Sequence, residues 1–171
     1  MLTAPELRSF DEAFAAAEEL GVKLEIQGGL LLWDLMPSPA HTIAVKRLEQ
    51  SIQPTGAAGE CGCFSYQDMY VRFPDGSYKR PDLAIYCTEV PPTVEAATII
   101  PGAVIEVVSQ SSREKDFRLA PPFYLSHGVR DVIVFDPATG TTKHFRKGEE
   151  LDLTAPATIH FEMGCSVTVS L

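Results

Sequence analysis

The chain has 171 residues, 45% of them hydrophobic and 22% charged, which suits one globular domain with a real core, residues 1–171, and excludes a disordered or fibrous class. Its 14 Lys and Arg are outnumbered by 23 Asp and Glu, and the net charge of -9 opposes non-specific attraction to nucleic acid. The longest apolar runs are only a few residues and the first residues lack a basic flank before an apolar segment, so the expectation is a soluble, unexported, cytoplasmic protein without a membrane span.

Thr3-Ala4-Pro5-Glu6 has a capping-box pattern, and Leu7, Phe10, Phe14, Ala17 and Leu20 recur at helical spacing up to Gly21, which supplies a left-handed stop. Val22 to Ile26 and Leu30 to Leu35 then flank Gln27-Gly28-Gly29 and predict a hairpin with glycines where positive φ is needed. A second helix is expected from about Ala40 to Ile52, with Ser38 as N-cap, Pro39 in the first turn, and Ile43, Ala44 and Leu48 buried. After a loop at Pro54 to Gly59, strands over Phe64 to Phe73 and Tyr78 to Tyr86 turn at Pro74-Asp75-Gly76-Ser77. Glu89 to Ala97 is an exposed connection.

Val104 to Ser109 is a short strand, and the hydroxyl-rich run Ser109 to Asp116 can cap a helix running towards His127-Gly128. Pro121-Pro122 falls inside that helix, where each proline removes a donor, so a break is expected with the helix restarting there. Asp131 to Pro137 is a buried strand, and Thr142 to Arg146, Glu150 to Leu153 and Cys165 to Leu171 are shorter ones. Lys143, His144, Phe145, Arg146 and Lys147 form a small basic and aromatic group, expected to be a solvated strand edge rather than a phosphate contact. Cys61-Gly62-Cys63 is a C-x-C and Cys87 and Cys165 stand alone, which points to free buried thiols in a reducing cytoplasm.

Two of these apolar runs carry a carboxylate that a structural strand has no use for. Asp82 follows Pro81 at the head of Leu83-Ala84-Ile85-Tyr86, and Glu106 sits inside Val104 to Val108. An ionised carboxylate in an apolar interior costs several kcal/mol unless it is paired, hydrogen-bonded or bound to metal. Two on neighbouring strands suit a hard cation such as Mg²⁺. The four histidines lack the spacing of a histidine metal centre, and His41, at a helix start, reads as a surface or capping residue.

Pro81-Asp82, the strand with Glu106, then Ser109, Ser111-Ser112-Arg113, Asp116, Tyr124, Gly128-Val129 and Val134-Phe135-Asp136-Pro137 resemble one branch of the PD-(D/E)XK nuclease superfamily, the Uma-type domains catalogued as restriction endonucleases of unknown function. Glu25 before its glycine turn and His41 extend the likeness upstream. The resemblance implies an α/β fold, a restriction-endonuclease-like mixed sheet flanked by helices, with an N-terminal helix and hairpin. It further implies Glu25, Asp82 and Glu106 converging on Mg²⁺ or Mn²⁺ held by Asp82 and Glu106, DNA as substrate, and a homodimer. The chain departs from the pattern at the basic member. Val108 stands two residues beyond Glu106 where the superfamily has Lys, and Ala120 stands four residues beyond Asp116 where this branch supplies it. Three readings stay open: a nuclease, weakened or using Lys115 or Arg118 as the basic group; a catalytically degenerate nucleic-acid or partner-binding module; and a structural role in which Asp82 caps a strand and Glu106 pairs with Arg80 or Arg113.

Overall fold

In the computed structural model, which describes residues 10–56, 61–93, 96–109 and 111–171, alternation along β1 (Val22–Gln27) decides where the site lies. Its odd and even side chains point to opposite faces. Leu24 joins Ala13 and Ala17 of α1 (Phe10–Glu19) in a small apolar cluster, which leaves Lys23 and Glu25 on the other face, both buried. β2 (Leu30–Leu35) returns antiparallel across Gly28 and Gly29, whose φ of 56° and 82° give the left-handed turn expected of a two-residue hairpin. The expected cap at Thr3 to Glu6 and the contact at Leu7 lie outside the described residues.

α2 (Pro39–Ser51) starts where expected, with Ser38 Oγ accepting from His41 N. Its buried face is Ala44, Val45 and Leu48, whereas Ile43 is 52% exposed and not in the core as anticipated. β3 (Gln53–Pro54) pairs with β13 (Cys165–Val169), and β12 (Ala157–His160), which the sequence did not announce, completes that three-stranded sheet.

The expected long second hairpin is present but bent across two sheets. β4 (Phe64–Gln67) pairs with β7 (Leu83–Tyr86) at one side of a six-stranded sheet that continues through β8 (Ala103–Val107), β9 (Asp131–Phe135), β10 (Thr141–Arg146) and β11 (Glu149–Thr154) in that spatial order, while β5 (Val71–Arg72) pairs with β6 (Tyr78–Lys79) in a four-stranded sheet of order β2-β1-β6-β5. The bend falls at Asp68, whose φ is 54°, and at Arg80-Pro81-Asp82. Proline cannot donate to a ladder, so the strand breaks there and Asp82 is left at a corner between the sheets.

β8 (Ala103–Val107) and β9 (Asp131–Phe135) form the one parallel pair among the named strands and are buried throughout, as a central parallel pair requires. One face of this sheet packs Ile105, Val107 and Ile133 against α2 and the three-stranded sheet, and the other packs Val104 and Val132 against α3 (Ala120–Ser126). The expected break at the prolines takes the form of a π-helical segment, Lys115–Leu119, running into α3, with Ala120 N bonded to Lys115 O. A wider turn lets two residues without N–H groups follow in the first turn of α3. β10 (Thr141–Arg146) lies between β9 and β11 (Glu149–Thr154), so it is not the solvated edge anticipated. His144 and Arg146 both reach buried Asp131, at 2.7 and 2.6 Å, while Lys143 pairs with the exposed Glu150 and Asp152 of the next strand, so these three are already matched to the fold's own carboxylates.

The cysteines overturn the free-thiol expectation. Cys61 is bonded to Cys87 and Cys63 to Cys165, pairs separated by 26 and 102 residues that only the sheet register brings together. Among the described residues no helix is long and apolar enough to cross a membrane.

Candidate active site

Between the two larger sheets and the N-terminus of α2 lies a cleft of ≈ 1180 Å³, lined by Lys23, Asp34, His41, Asp68, Asp82, Glu106, Lys115 and Asp116 among others. Asp82 is central to it. Val107 N donates to its Oδ2 at 2.7 Å, His41 Nε2 lies 3.1 Å from the same oxygen, and Lys23 Nζ lies 3.2 Å from Oδ1. Burial pushes the Asp82 carboxyl up, but Lys23 and His41 outweigh it and hold it down at about 2. His41 shows the reverse balance: burial pulls its imidazole down, yet the hydrogen bond and charge of Asp82 leave it raised. Its Nδ1 is buried without a hydrogen-bond partner.

Glu106 comes from the adjoining strand end. Tyr124 Oη donates to its Oε1 at 2.8 Å and the Asp82 backbone N to its Oε2 at 3.3 Å, and neither Arg80 nor Arg113 pairs with it. Those two arginines go to Asp68 and Asp136 instead. Burial first and the Asp82 charge second push the Glu106 carboxyl up to about 8, with Lys23 opposing. At neutral pH Glu106 therefore retains its proton while Asp82 is ionised, the usual result when two carboxylates share a low-dielectric site.

Glu25, from the cleft face of β1, does not touch Asp82 or Glu106 directly. Lys79 Nζ contacts its Oε2 at 2.7 Å, Lys115 Nζ the same oxygen at 3.3 Å, and Arg80 N donates to Oε1 at 2.8 Å. Burial raises its carboxyl, but Lys79 and then Lys115 draw it well below the usual range. Lys115 also pairs with Asp34 and lies 3.8 Å from Asp116. Asp116 is buried beside Ser112, and burial raises it to about 6.

Of the five residues singled out in the sequence, Glu25, Asp82, Glu106 and Lys115 line or adjoin the cleft, whereas Arg118 does not: its side chain is 77% exposed and pairs with Glu114 one turn away. Ala120 is fully buried in the apolar cluster under the sheet, and Val108 is buried at the cleft wall. Sequence reasoning missed Lys23, Lys79 and the His41 contact. For Lys23 the sequence holds a signal, because residues 23 and 25 of one strand share a face. His41 gave none, since a helix start says nothing about what lies opposite.

An α/β sheet with carboxylates gathered at adjoining strand ends in an open cleft defines a nuclease-like domain. Comparison with known proteins agrees: the chain belongs to the Uma2 family, described as "Putative restriction endonuclease", whose model matches residues 10–168. The fold is also similar to a solved structure from Anabaena variabilis, described as a "putative nuclease belonging to DUF820", at a TM-score of 0.63 and 20% identity over 80% of this chain and 79% of that one. Among curated proteins none matches.

Proposed function

We propose that this chain is a divalent-metal-dependent nuclease hydrolysing phosphodiester bonds of DNA, with Asp82 and Glu106 as the metal carboxylates and a cytoplasmic location beside its substrate. The observation that carries this reading is the buried Asp82–Glu106 pair, in which burial first and the Asp82 charge second hold the Glu106 carboxyl up at about 8. A cation relieves such repulsion, and paired carboxylate oxygens suit Mg²⁺ or Mn²⁺. A bound divalent ion supplies Lewis-acid polarisation of the phosphate and a more acidic water. The chain's own groups orient that chemistry: Val107 N and His41 fix Asp82, Tyr124 fixes Glu106, and the ammonium of Lys23, the one that touches Asp82, offsets charge at the reacting phosphate. Lys115 and Lys79 position Glu25 against the β1 face that carries Lys23.

A second reading is favoured by the same contacts, since Lys23 and His41 already engage both oxygens of Asp82. There Lys23 takes the cation's place and the chain is a nucleic-acid or partner-binding module.

Thermal melts and plasmid nicking with and without Mn²⁺ distinguish the two. Nuclease action requires Mn²⁺ to raise the melting temperature, more at pH 9 than at pH 6, because Glu106 must surrender its proton to bind it. Between its ordinary value near 4.5 and about 8 this carboxyl is ionised in the unfolded chain but protonated in the fold, so without metal its contribution to stability falls as pH rises across that window. Asp82→Asn should lose the metal response and the nicking together, the latter by about 100-fold or more, as for other single charge-stabilising groups. Wild type that nicks DNA equally well in EDTA, or never nicks it while binding Mn²⁺, rules out the metal-nuclease reading.

We also propose a homodimer through β2. Among the described residues it is an edge strand with no strand paired on its outer side, and Leu31, Trp33 and Leu35 on one face are 46%, 72% and 71% exposed. An uncovered apolar edge of this length pairs readily with a second copy. Light scattering should give twice the chain mass, and Trp33→Lys should halve it; a monomeric wild type ends this proposal.

A further inference from the structure

The chain's four cysteines meet at one place, outside the carboxylate cleft. Cys61 and Cys63 lie on the segment entering β4, Cys87 follows β7, and Cys165 opens β13. The sulfurs of Cys61, Cys63 and Cys165 all lie within 4.8 Å of one another, and Cys87 is bonded to Cys61. Two disulfides require only that 61 approach 87 and 63 approach 165. The third approach, Cys61 Sγ to Cys165 Sγ at 3.4 Å, is extra, and it gathers the sulfurs of Cys61, Cys63 and Cys165 into one cluster, with Cys87 joined through Cys61.

The local backbone is shaped to this cluster. Cys63 adopts a φ of 51°, a left-handed conformation that residues bearing a Cβ rarely take and that persists only when the surroundings demand it. At Gly62 a Cβ would lie 2.4 Å from the Phe64 ring and 3.2 Å from the Cys87 carbonyl, so glycine is the residue that lets a C-x-C segment lie against Cys87. Cys61 and Cys165 are buried, while Cys63 and Cys87 are half-buried, which closes the cluster on the core side and leaves it open to solvent on the other. Arg130 lines a small cleft together with Cys87 and Met163.

We propose that, when reduced, Cys61, Cys63, Cys87 and Cys165 form a tetrathiolate zinc site that staples β4, β7 and β13. Zinc takes four thiolates tetrahedrally at about 2.3 Å, which spaces the sulfurs about 3.8 Å apart; those of Cys61, Cys63 and Cys165 lie within 4.8 Å of one another, and Cys87, released from Cys61 on reduction, supplies the fourth. Soft sulfur ligands also separate this site from the carboxylates, whose oxygens suit Mg²⁺ or Mn²⁺. Each disulfide accepts two electrons and two protons from a thiol reductant, itself oxidised to a disulfide. Zn²⁺ then binds the four thiolates and their protons go to solvent. The site is independent of nuclease action.

The test uses the full chain, reduced with dithiothreitol, freed of reductant anaerobically, and exposed to Zn²⁺ or Co²⁺. One zinc per chain should survive gel filtration and be released by a mercurial as four thiols are blocked, and Co²⁺ should give thiolate charge-transfer and tetrahedral ligand-field bands. Outer-shell changes at zinc sites already weaken binding by about 10- to 100-fold, so Cys63→Ser should weaken it at least as much. Asp82→Asn should leave zinc stoichiometry unchanged. Reduced wild type that titrates four thiols yet holds no zinc, and whose Co²⁺ spectrum lacks sulfur bands, overturns the proposal. That result is read on wild type alone, so it stands even if Cys63→Ser does not fold. Zinc lost with Asp82→Asn and kept with Cys63→Ser would equally overturn it.

Discussion

Lys23→Met should lower Mn²⁺-dependent nicking by about 100-fold or more while preserving, or enlarging, the metal-induced rise in melting temperature. Lys23 is buried and its ammonium lies 3.2 Å from Asp82 and 3.5 Å from Asp68. Burial alone would lower its pKa, but Asp82, Glu106, Glu25 and Asp68 overcome that and hold it charged. On the nuclease proposal its removal takes away the positive charge beside Asp82 that would face the phosphate, and it also removes a competitor for Asp82 Oδ1. Catalysis and metal affinity should therefore move in opposite directions, which a simple loss of folding cannot produce. Nicking within about threefold of wild type would remove Lys23 from the mechanism and return the role to Lys115. Tighter metal binding with no cutting in either protein would identify Lys23 as a substitute cation and the chain as a binding module.

Lys79→Met should destabilise the protein by about 3–5 kcal/mol, the range found when one partner of a buried ion pair is removed. Lys79 and Glu25 are 0% and 2% exposed at their side chains, 2.7 Å apart, and the Lys79 ammonium also lies 5.6 and 5.7 Å from the Phe123 and Tyr124 ring centroids. Without it Glu25 keeps Arg80 N and the longer contact to Lys115, which is 3.3 Å away. At this chain length the loss corresponds to roughly 10 °C in melting temperature. Adding Glu25→Gln to Lys79→Met should recover part of it, because the uncompensated charge is then gone, and urea melts of the four proteins measure that coupling. A loss below about 1 kcal/mol would show that Lys115 alone suffices to hold Glu25. The pH dependence has the opposite sign from Glu106: a depressed carboxyl stabilises above its ordinary value, and that contribution fades as pH falls towards its folded value.

What could be read from the chain was local and periodic. Gly28-Gly29 marked a hairpin, Ser38-Pro39 a helix start, and the single carboxylates in two apolar strands marked a site. The pairings that complete the site are long-range. Lys79 meets Glu25 across 54 positions, His41 meets Asp82 across 41, and the cysteine partners are 26 and 102 apart, and no residue spacing encodes such distances. The bend in the second hairpin was half visible: Pro81 was noted as the head of a strand, but not as the point where one ladder must stop and another begin. Ile43 was misplaced because the core side of α2 is set by the strands above it, and the apolar stripe there is too narrow to fix its own rotation.

The π-helical segment ahead of the two prolines changes how positions should be counted. An unbroken α-helix brings residue i+4 back over residue i, so in such a helix the site four beyond Asp116 is the one stacked on it. Here the carbonyl of Lys115 is met by the N–H five residues on, and the ladder slips by one step. Position 120 is then out of phase with its counterpart in a regular helix, and its side chain ends up wholly enclosed with Tyr124 and Val104. Counting four residues on from Asp116 therefore does not reach the residue stacked over it, and Ala120 packs into the apolar cluster and not into the cleft. On the nuclease proposal, the ammonium that β1 brings to Asp82 would answer the same charge problem from a different element of the fold.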